Sequence, residues 1–201
     1  MSRISFAVVG HPNKGKSSIV STLSQNDTIG VSERSGTTTK SSSYKVETER
    51  SGYELFDTPG FQRPTKVLAW LKKHAQSADQ RAQAVVDFVN DPECKINFPD
   101  EVELLKPLVK GAAILYVVDG SRPYGIEYET EMEILLWTGQ PSMALINPIE
   151  NENHVETWSN ALTQYFKTVR VFNPMKAKFE RHIELLKAFS HLKTEWALPL
   201  S

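Results

Sequence analysis

The sequence predicts an α/β fold, a mostly parallel six-stranded sheet with helices on both faces. Three observations lead there. Short apolar runs alternate with amphipathic stretches along much of the 201-residue chain. A glycine-containing turn, Gly10 to Ser17, joins the first apolar run to the first amphipathic one. Several strand ends fall on ligand-binding residue types, namely Gly10, Asp57, Asp119, Asn147 and Asn173, and open α/β sheets bind ligands beyond the carboxyl ends of their strands.

The elements follow in order. Ile4 to Val9 is a compact apolar run ending at Gly10 and predicts a buried parallel strand. Lys16 to Leu23 predicts a helix, and residues 25–41, rich in Ser, Thr, Gly and Asn, a loop. Tyr44, Val46 and Thr48 alternate with polar residues, Arg50-Ser51-Gly52 supplies a turn, and Tyr53 to Phe56 completes a hairpin. Residues 62–110 form a long helical insertion. Val67 to His74 has helical spacing, and Ser77 to Gln80 resembles a capping box before a second helix that carries Val85, Val86 and Phe88. Asp91-Pro92 and Phe98-Pro99 predict breaks. Asp100 with Glu103 predicts the cap of a third helix, which Pro107 should disturb. Then come a strand from Ala113 to Val118, a helix from Glu127 to Trp137, a strand from Ser142 to Ile146, a helix from His154 to Phe166, a strand from Thr168 to Phe172 and an amphipathic helix from Ala177 to Leu192.

Bulk properties narrow the function. The net charge of −1 gives no electrostatic footprint for nucleic acid. The single cysteine, Cys94, forms no internal disulfide and suits a reducing compartment. Ala112 to Val118 is far too short to span a bilayer, and the first ten residues lack the apolar length of a signal peptide. The expected location is cytoplasmic. The five histidines show no metal-ligand spacing.

The most specific stretch is Gly10-His11-Pro12-Asn13-Lys14-Gly15-Lys16-Ser17, which fits G-x-x-x-x-G-K-[ST]. Glycines let the backbone wrap a phosphate with its N–H groups inward, here over Asn13, Lys14 and Gly15, and the next helix offers its positive end. Lys16 would reach the β- and γ-phosphates, Ser17 would bind Mg²⁺, and Ser18 would touch the α-phosphate. The setting between a predicted strand and a predicted helix indicates a P-loop NTPase. Asp57-Thr58-Pro59-Gly60 follows a buried strand, where an aspartate can hold Mg²⁺ through water and Gly60 can bring its N–H to a γ-phosphate.

Together these residues resemble the translation-factor-related GTPases, and within them the Era/EngA/TrmE-like group, with a Ras-like G domain. The loop GHPNKGKSS, with Asn13, is similar to that group's phosphate loop, Ser35 to Thr39 to its first switch, Asp57 to Gly60 to its second, and Val117-Val118-Asp119 to the strand after it. The resemblance implies a G domain over 1–192, with 193–201 a tail or the start of a linker. It further implies a bacterial subgroup with another C-terminal domain, through which a dimer or membrane contact would be made and the full protein would be membrane-peripheral. Thr38 would bind Mg²⁺ when the γ-phosphate is present. The switches and the 62–110 insertion would face a protein effector. Phe61 stands where many GTPases place a water-orienting Gln. The resemblance offers another route, a K⁺ ion held partly by Asn13 that neutralises charge between the phosphates. Intrinsic turnover should be slow.

The base-reading loops depart from the family. It usually has N-K-x-D, whose Asp accepts from guanine and whose Lys stem lies over the base. Here Asn147-Pro148-Ile149-Glu150 keeps the Asn, loses the Lys and lengthens the Asp by one methylene. In the second loop, where the family offers a backbone N–H to the base, either Asn173-Pro174 or Lys176-Ala177 stands, and proline has no N–H. The expected function is a GTP/GDP switch that hydrolyses GTP with Mg²⁺. A non-hydrolysing nucleotide-dependent interaction module and an ATPase or relaxed-specificity NTPase are the alternatives.

Overall fold

The computed structural model describes residues 4–12, 14–24, 40–47 and 52–173. Its elements are β1 (Ile4–Gly10), α1 (Lys16–Ser24), β2 (Ser42–Glu47), β3 (Gly52–Asp57), α2 (Pro64–His74), α3 (Arg81–Asn90), α4 (Pro92–Asn97), α5 (Pro99–Val109), β4 (Ala113–Asp119), α6 (Glu127–Trp137), β5 (Ser142–Asn147), α7 (Val155–Leu162) and β6 (Thr168–Val171), with a 3-10 turn at Ala78–Gln80. The six-stranded sheet has the order β2-β3-β1-β4-β5-β6. β2 and β3 form the antiparallel hairpin, with Ser42 opposite Asp57. The pairings of β1 with β3 and β4, of β4 with β5, and of β5 with β6 are parallel.

The unbroken apolar runs of β1, β4 and β5 are explained by burial on both faces. Alternate residues feed two cores. Ala7, Val9, Ile114, Tyr116, Val118, Ala144 and Ile146 point toward one face and pack with residues of α2, α3, α5, α6 and α7. Phe6, Val8, Leu115, Val117, Met143 and Leu145 point to the other, where Ile19, Val20 and Leu23 of α1 meet them. The parallel strands bring Gly10, Asp57, Asp119 and Asn147 to one end of the sheet, in register where β4 and β5 end as a pair.

The insertion differs from expectation in three places. Asp91-Pro92 breaks the pattern as expected, since α3 ends at Asn90, but the same dipeptide also opens α4. The Asp91 carboxylate accepts from Cys94 N at 2.7 Å and Pro92 fills the first turn, the arrangement that suits a helix N-terminus. Ser77 precedes the 3-10 turn but makes no side-chain cap; the side chain of Gln80 instead accepts from Gln76 N at 2.8 Å. Asp100 is not a cap either, because Pro99 already opens α5. Pro107 lies inside α5, which still runs to Val109. A proline leaves the carbonyl four residues earlier without its helical donor, and here that carbonyl, of Glu103, accepts from Ser41 Oγ at 2.6 Å.

The helix expected to reach Phe166 stops at Leu162. A turn follows in which Phe166 N donates to Leu162 O at 2.8 Å, and the Phe166 ring stacks on Tyr116. Trp158, Val85 and Phe88 are core residues. Cys94 is buried, and burial pushes its thiol up to about 12, so it is not an activated nucleophile. No helix among the described residues is long and apolar enough to cross a membrane. The expected helix over 177–192 lies outside the described residues.

Candidate functional site

β1 ends at Gly10 and α1 begins at Lys16, so the loop between them sits against the end of the sheet. Gly15 has φ +79°, and a Cβ there would lie 2.4 Å from Asn147 Nδ2. Glycine is thus required both by the backbone and by the close approach of the neighbouring loop. Lys16 is buried at the start of α1 and its Nζ donates to His11 O at 2.8 Å, arching back over the loop. Burial lowers its ammonium to about 8, against the opposing pull of Asp57 and Glu131. Ser18 follows on the same first turn, and Ile19 N closes on Gly15 O at 3.0 Å.

Ser17 Oγ donates to Asp57 Oδ2 at 2.7 Å, so α1 and β3 deliver a hydroxyl and a carboxylate to one point. Asp57 Oδ1 is buried with no hydrogen-bond partner. Burial raises the Asp57 carboxyl, while Ser17 and Lys16 pull it down. An uncommitted buried carboxylate oxygen beside a serine hydroxyl is the hard oxygen donor set that Mg²⁺ takes, usually with waters and phosphate completing the shell.

After Asp57 the chain turns onto the phosphate loop. Thr58 Oγ1 donates to Val8 O at 2.8 Å and Phe61 N to Gly10 O at 3.1 Å. A Cβ on Gly60 would lie 2.5 Å from Pro12 N, so no larger residue fits. Phe61 has no exposed surface; its ring belongs to the core, not to the site. Arg63 is also drawn away, its guanidinium 5.1 Å from the centre of the Phe98 ring.

The base-reading region is assembled from three loops. Asn147 Nδ2 lies 3.4 Å from Lys14 O, and Asn173 Nδ2 donates to Pro148 O at 3.2 Å. The ends of β5 and β6 are therefore joined to each other and to the phosphate loop. Lys14 Nζ lies 3.7 Å from Asp119 Oδ2. Glu150 is exposed, and its Oε1 accepts from Arg122 Nη2 at 3.2 Å. Arg122 is in turn held on the turn after β4, its backbone N bonded to Asp119 O and its carbonyl accepting from Trp158 Nε1.

Three features were not found from the sequence. His11 Nδ1 lies 2.7 Å from Oε1 of buried Glu131, whose Oε2 accepts from Tyr116 OH at 2.8 Å. Arg122 and Glu101 are the others. The signal for Glu131 was present, a glutamate on the apolar side of a helix, but its partners are 120 and 15 residues distant. Asn13, the switch residues Thr37, Thr38 and Thr39, and Lys176-Ala177 lie outside the described residues.

Comparison with known proteins agrees with this geometry. The family described as 50S ribosome-binding GTPase matches residues 5–147. GTPase Der of Agathobacter rectalis is 32% identical over 91 residues, covering 43% of this chain and 21% of that protein. GTPase Der of Mycoplasma pneumoniae is 28% identical over 120 residues, covering 60% and 21%. The match thus spans about a fifth of the length of either relative. Among solved structures, Era in complex with MgGDPNP and a segment of 16S ribosomal RNA superimposes with a TM-score of 0.67 at 18% identity, covering 100% of this chain and 58% of that one. With the loop, the strand-end aspartate and the sheet order all in place, the chain belongs to the 50S ribosome-binding GTPase family and contains an Era-like P-loop GTPase domain.

Proposed function

We propose that this domain is a GTP-binding switch that hydrolyses GTP to GDP and phosphate with Mg²⁺. The observation that carries the reading is the Ser17–Asp57 pair, with its unpartnered carboxylate oxygen, set beside buried Lys16. Family membership and the neighbour's MgGDPNP support the choice of guanine nucleotide and metal. Ser17 and Asp57 would hold Mg²⁺, with Thr38 joining them from the first switch. The bound metal would neutralise charge on the phosphates. Lys16 would leave His11 O and place its ammonium on the β- and γ-phosphate oxygens. The N–H groups of the loop from Asn13 to Ser18, at the head of α1, would cradle the remaining phosphate charge. Gly60, already seated on the loop, would offer its N–H to the γ-phosphate. With Phe61 buried, no side chain at that place orients water, so turnover is slow unless K⁺ at Asn13 or a partner supplies the missing charge.

A second reading, relaxed choice of base, is favoured by two observations: Glu150 is engaged by Arg122, and Pro148 offers no lysine stem. We also assign residues 1–192 to the G domain, with 62–110 as its effector-facing insertion. Binding and turnover of GTP, ATP and XTP with Mg²⁺, in K⁺ and then in Na⁺, test all of this. GTP turnover that is faster in K⁺ is expected. Binding without product in either salt overturns the enzyme reading, and Lys16→Ala with unchanged nucleotide binding overturns the phosphate site.

A further inference from the structure

We propose that helix α5 couples the two switch segments to each other, with Glu101 as a positioning residue for the second. This rests on the reading of 35–39 and 57–60 as switches. Glu101 is completely buried. Its Oε1 accepts from Gln62 N at 3.0 Å and from Arg63 N, while Oε2 is buried with no hydrogen-bond partner. Helices usually take their cap from a Ser, Thr, Asp or Asn at the N-cap itself. α2 has Arg63 there, without a side-chain cap bond, and draws its acceptor from a helix 38 residues further along. Burying a carboxyl group is costly, so a remote glutamate is an expensive way to cap a helix and a direct way to fix where the second switch segment ends. Gly60, seated on the phosphate loop, is two residues from Gln62.

The same helix holds the other segment. Pro107 deprives the Glu103 carbonyl of its helical donor, and Ser41 Oγ takes that carbonyl at 2.6 Å, with Ser41 N 3.4 Å from Glu103 Oε2. Ser41 lies immediately before β2, just after the threonines of the first switch in sequence. Residues 101 and 103 thus grip the backbone where each switch ends. The helix between them is rigid: Val102, Leu104, Leu105 and Leu108 are all buried. Arg63 over Phe98 adds a third fastening between the starts of α2 and α5. A displacement of Gly60 toward a γ-phosphate pivots at Gln62 and loads Glu101, and through α5 it reaches Ser41.

The test uses the whole chain, with hydrogen exchange of segments 40–44 and 60–66 in GDP and in a non-hydrolysable GTP analogue, beside steady-state turnover. Glu101→Ala is expected to lower kcat about tenfold with KM changed less than about threefold, and to abolish the nucleotide response of the distant 40–44 segment. Glu101→Gln, which keeps an acceptor oxygen for both amides, is expected to restore both. Native turnover and native exchange in Glu101→Ala, or equal losses in the Ala and Gln variants, overturns the proposal. Pro107→Ala carries the test if Glu101→Ala does not fold. It returns an N–H that competes with Ser41 for the Glu103 carbonyl, so exchange at 40–44 should rise several-fold in both nucleotide states; unchanged exchange there overturns the coupling. Failure of Lys16→Ala to weaken nucleotide binding would instead bring down the underlying site assignment. Normal nucleotide binding with no response to Glu101→Ala removes the coupling alone.

Discussion

Asn147 Nδ2 lies 3.4 Å from Lys14 O and would meet any Cβ placed on Gly15, so the end of β5 rests directly on the phosphate loop. This contact joins the part of the site that holds phosphate to the part that faces the base. Asn147→Ala removes the link without touching either ligand group. It is expected to weaken GTP and ATP by a similar factor, about tenfold. Titration calorimetry with both nucleotides checks this, and a loss confined to GTP would show that Asn147 acts on the base alone.

Glu150 should behave differently. If its carboxylate reads guanine, Glu150→Ala reduces GTP affinity and leaves ATP affinity unchanged. Arg122 holds the longer glutamate side chain back by its hydrogen bond. The pair is exposed, so Arg122→Ala is expected to cost GTP only about threefold, with no effect in a chain that already carries Glu150→Ala. Equal changes in GTP and ATP would exclude a role in base choice.

The Lys16 ammonium gives a pH signature. Burial sets it near 8 in the free protein, and a bound phosphate favours the charged form. Below that pH the lysine is already protonated and affinity is flat. Above it, binding must take up a proton, so GDP should bind about tenfold more weakly at pH 9 than at pH 7. For folding the sign is opposite. The unfolded lysine keeps its proton to higher pH, so the burial penalty is full below about 8 and is relieved as pH rises from there toward 10.5. Dissociation constants between pH 7 and 9, with buffers of different ionisation enthalpy, measure the proton uptake.

Phe61→Gln places the residue usual in many GTPases at the position after Gly60. The Phe61 ring is sealed in the core, so the amide would be buried there and not face the nucleotide. The substitution is expected to cost about 3 kcal/mol of stability, read from urea unfolding, and to leave turnover no faster than native. A rise in kcat would mean that the segment is free to turn outward.

The fold was legible because its signals are local. Each strand is a run of neighbouring apolar residues, and Gly10 to Ser17 carries its chemistry within one turn. Ser17 and Asp57 were singled out from the sequence, and the fold joins them by a hydrogen bond. What escaped depends on residues far apart. Glu101 looks like any acidic residue in the first turn of a helix until Gln62 and Arg63 are folded against it. Pro107 reads as a defect until Ser41 occupies the carbonyl it frees. Arg122 reads as a loop arginine until β4 and β5 end side by side. Asp91-Pro92 was legible as a break, and what the sequence hid is that the same dipeptide also opens the next helix.

His11 and Glu131 carry a thermodynamic consequence. The imidazole sits at the entrance of the phosphate loop and is tied to a carboxyl group sealed between α6 and β4, which holds His11 in place even when Lys16 leaves its carbonyl for a phosphate. A loop whose first residue is pinned in this way has that much less freedom to surrender when an anion arrives. The part of the ordering cost that falls on His11 is met during folding, so stability and nucleotide affinity draw on the same tether, and Glu131→Gln should weaken both together.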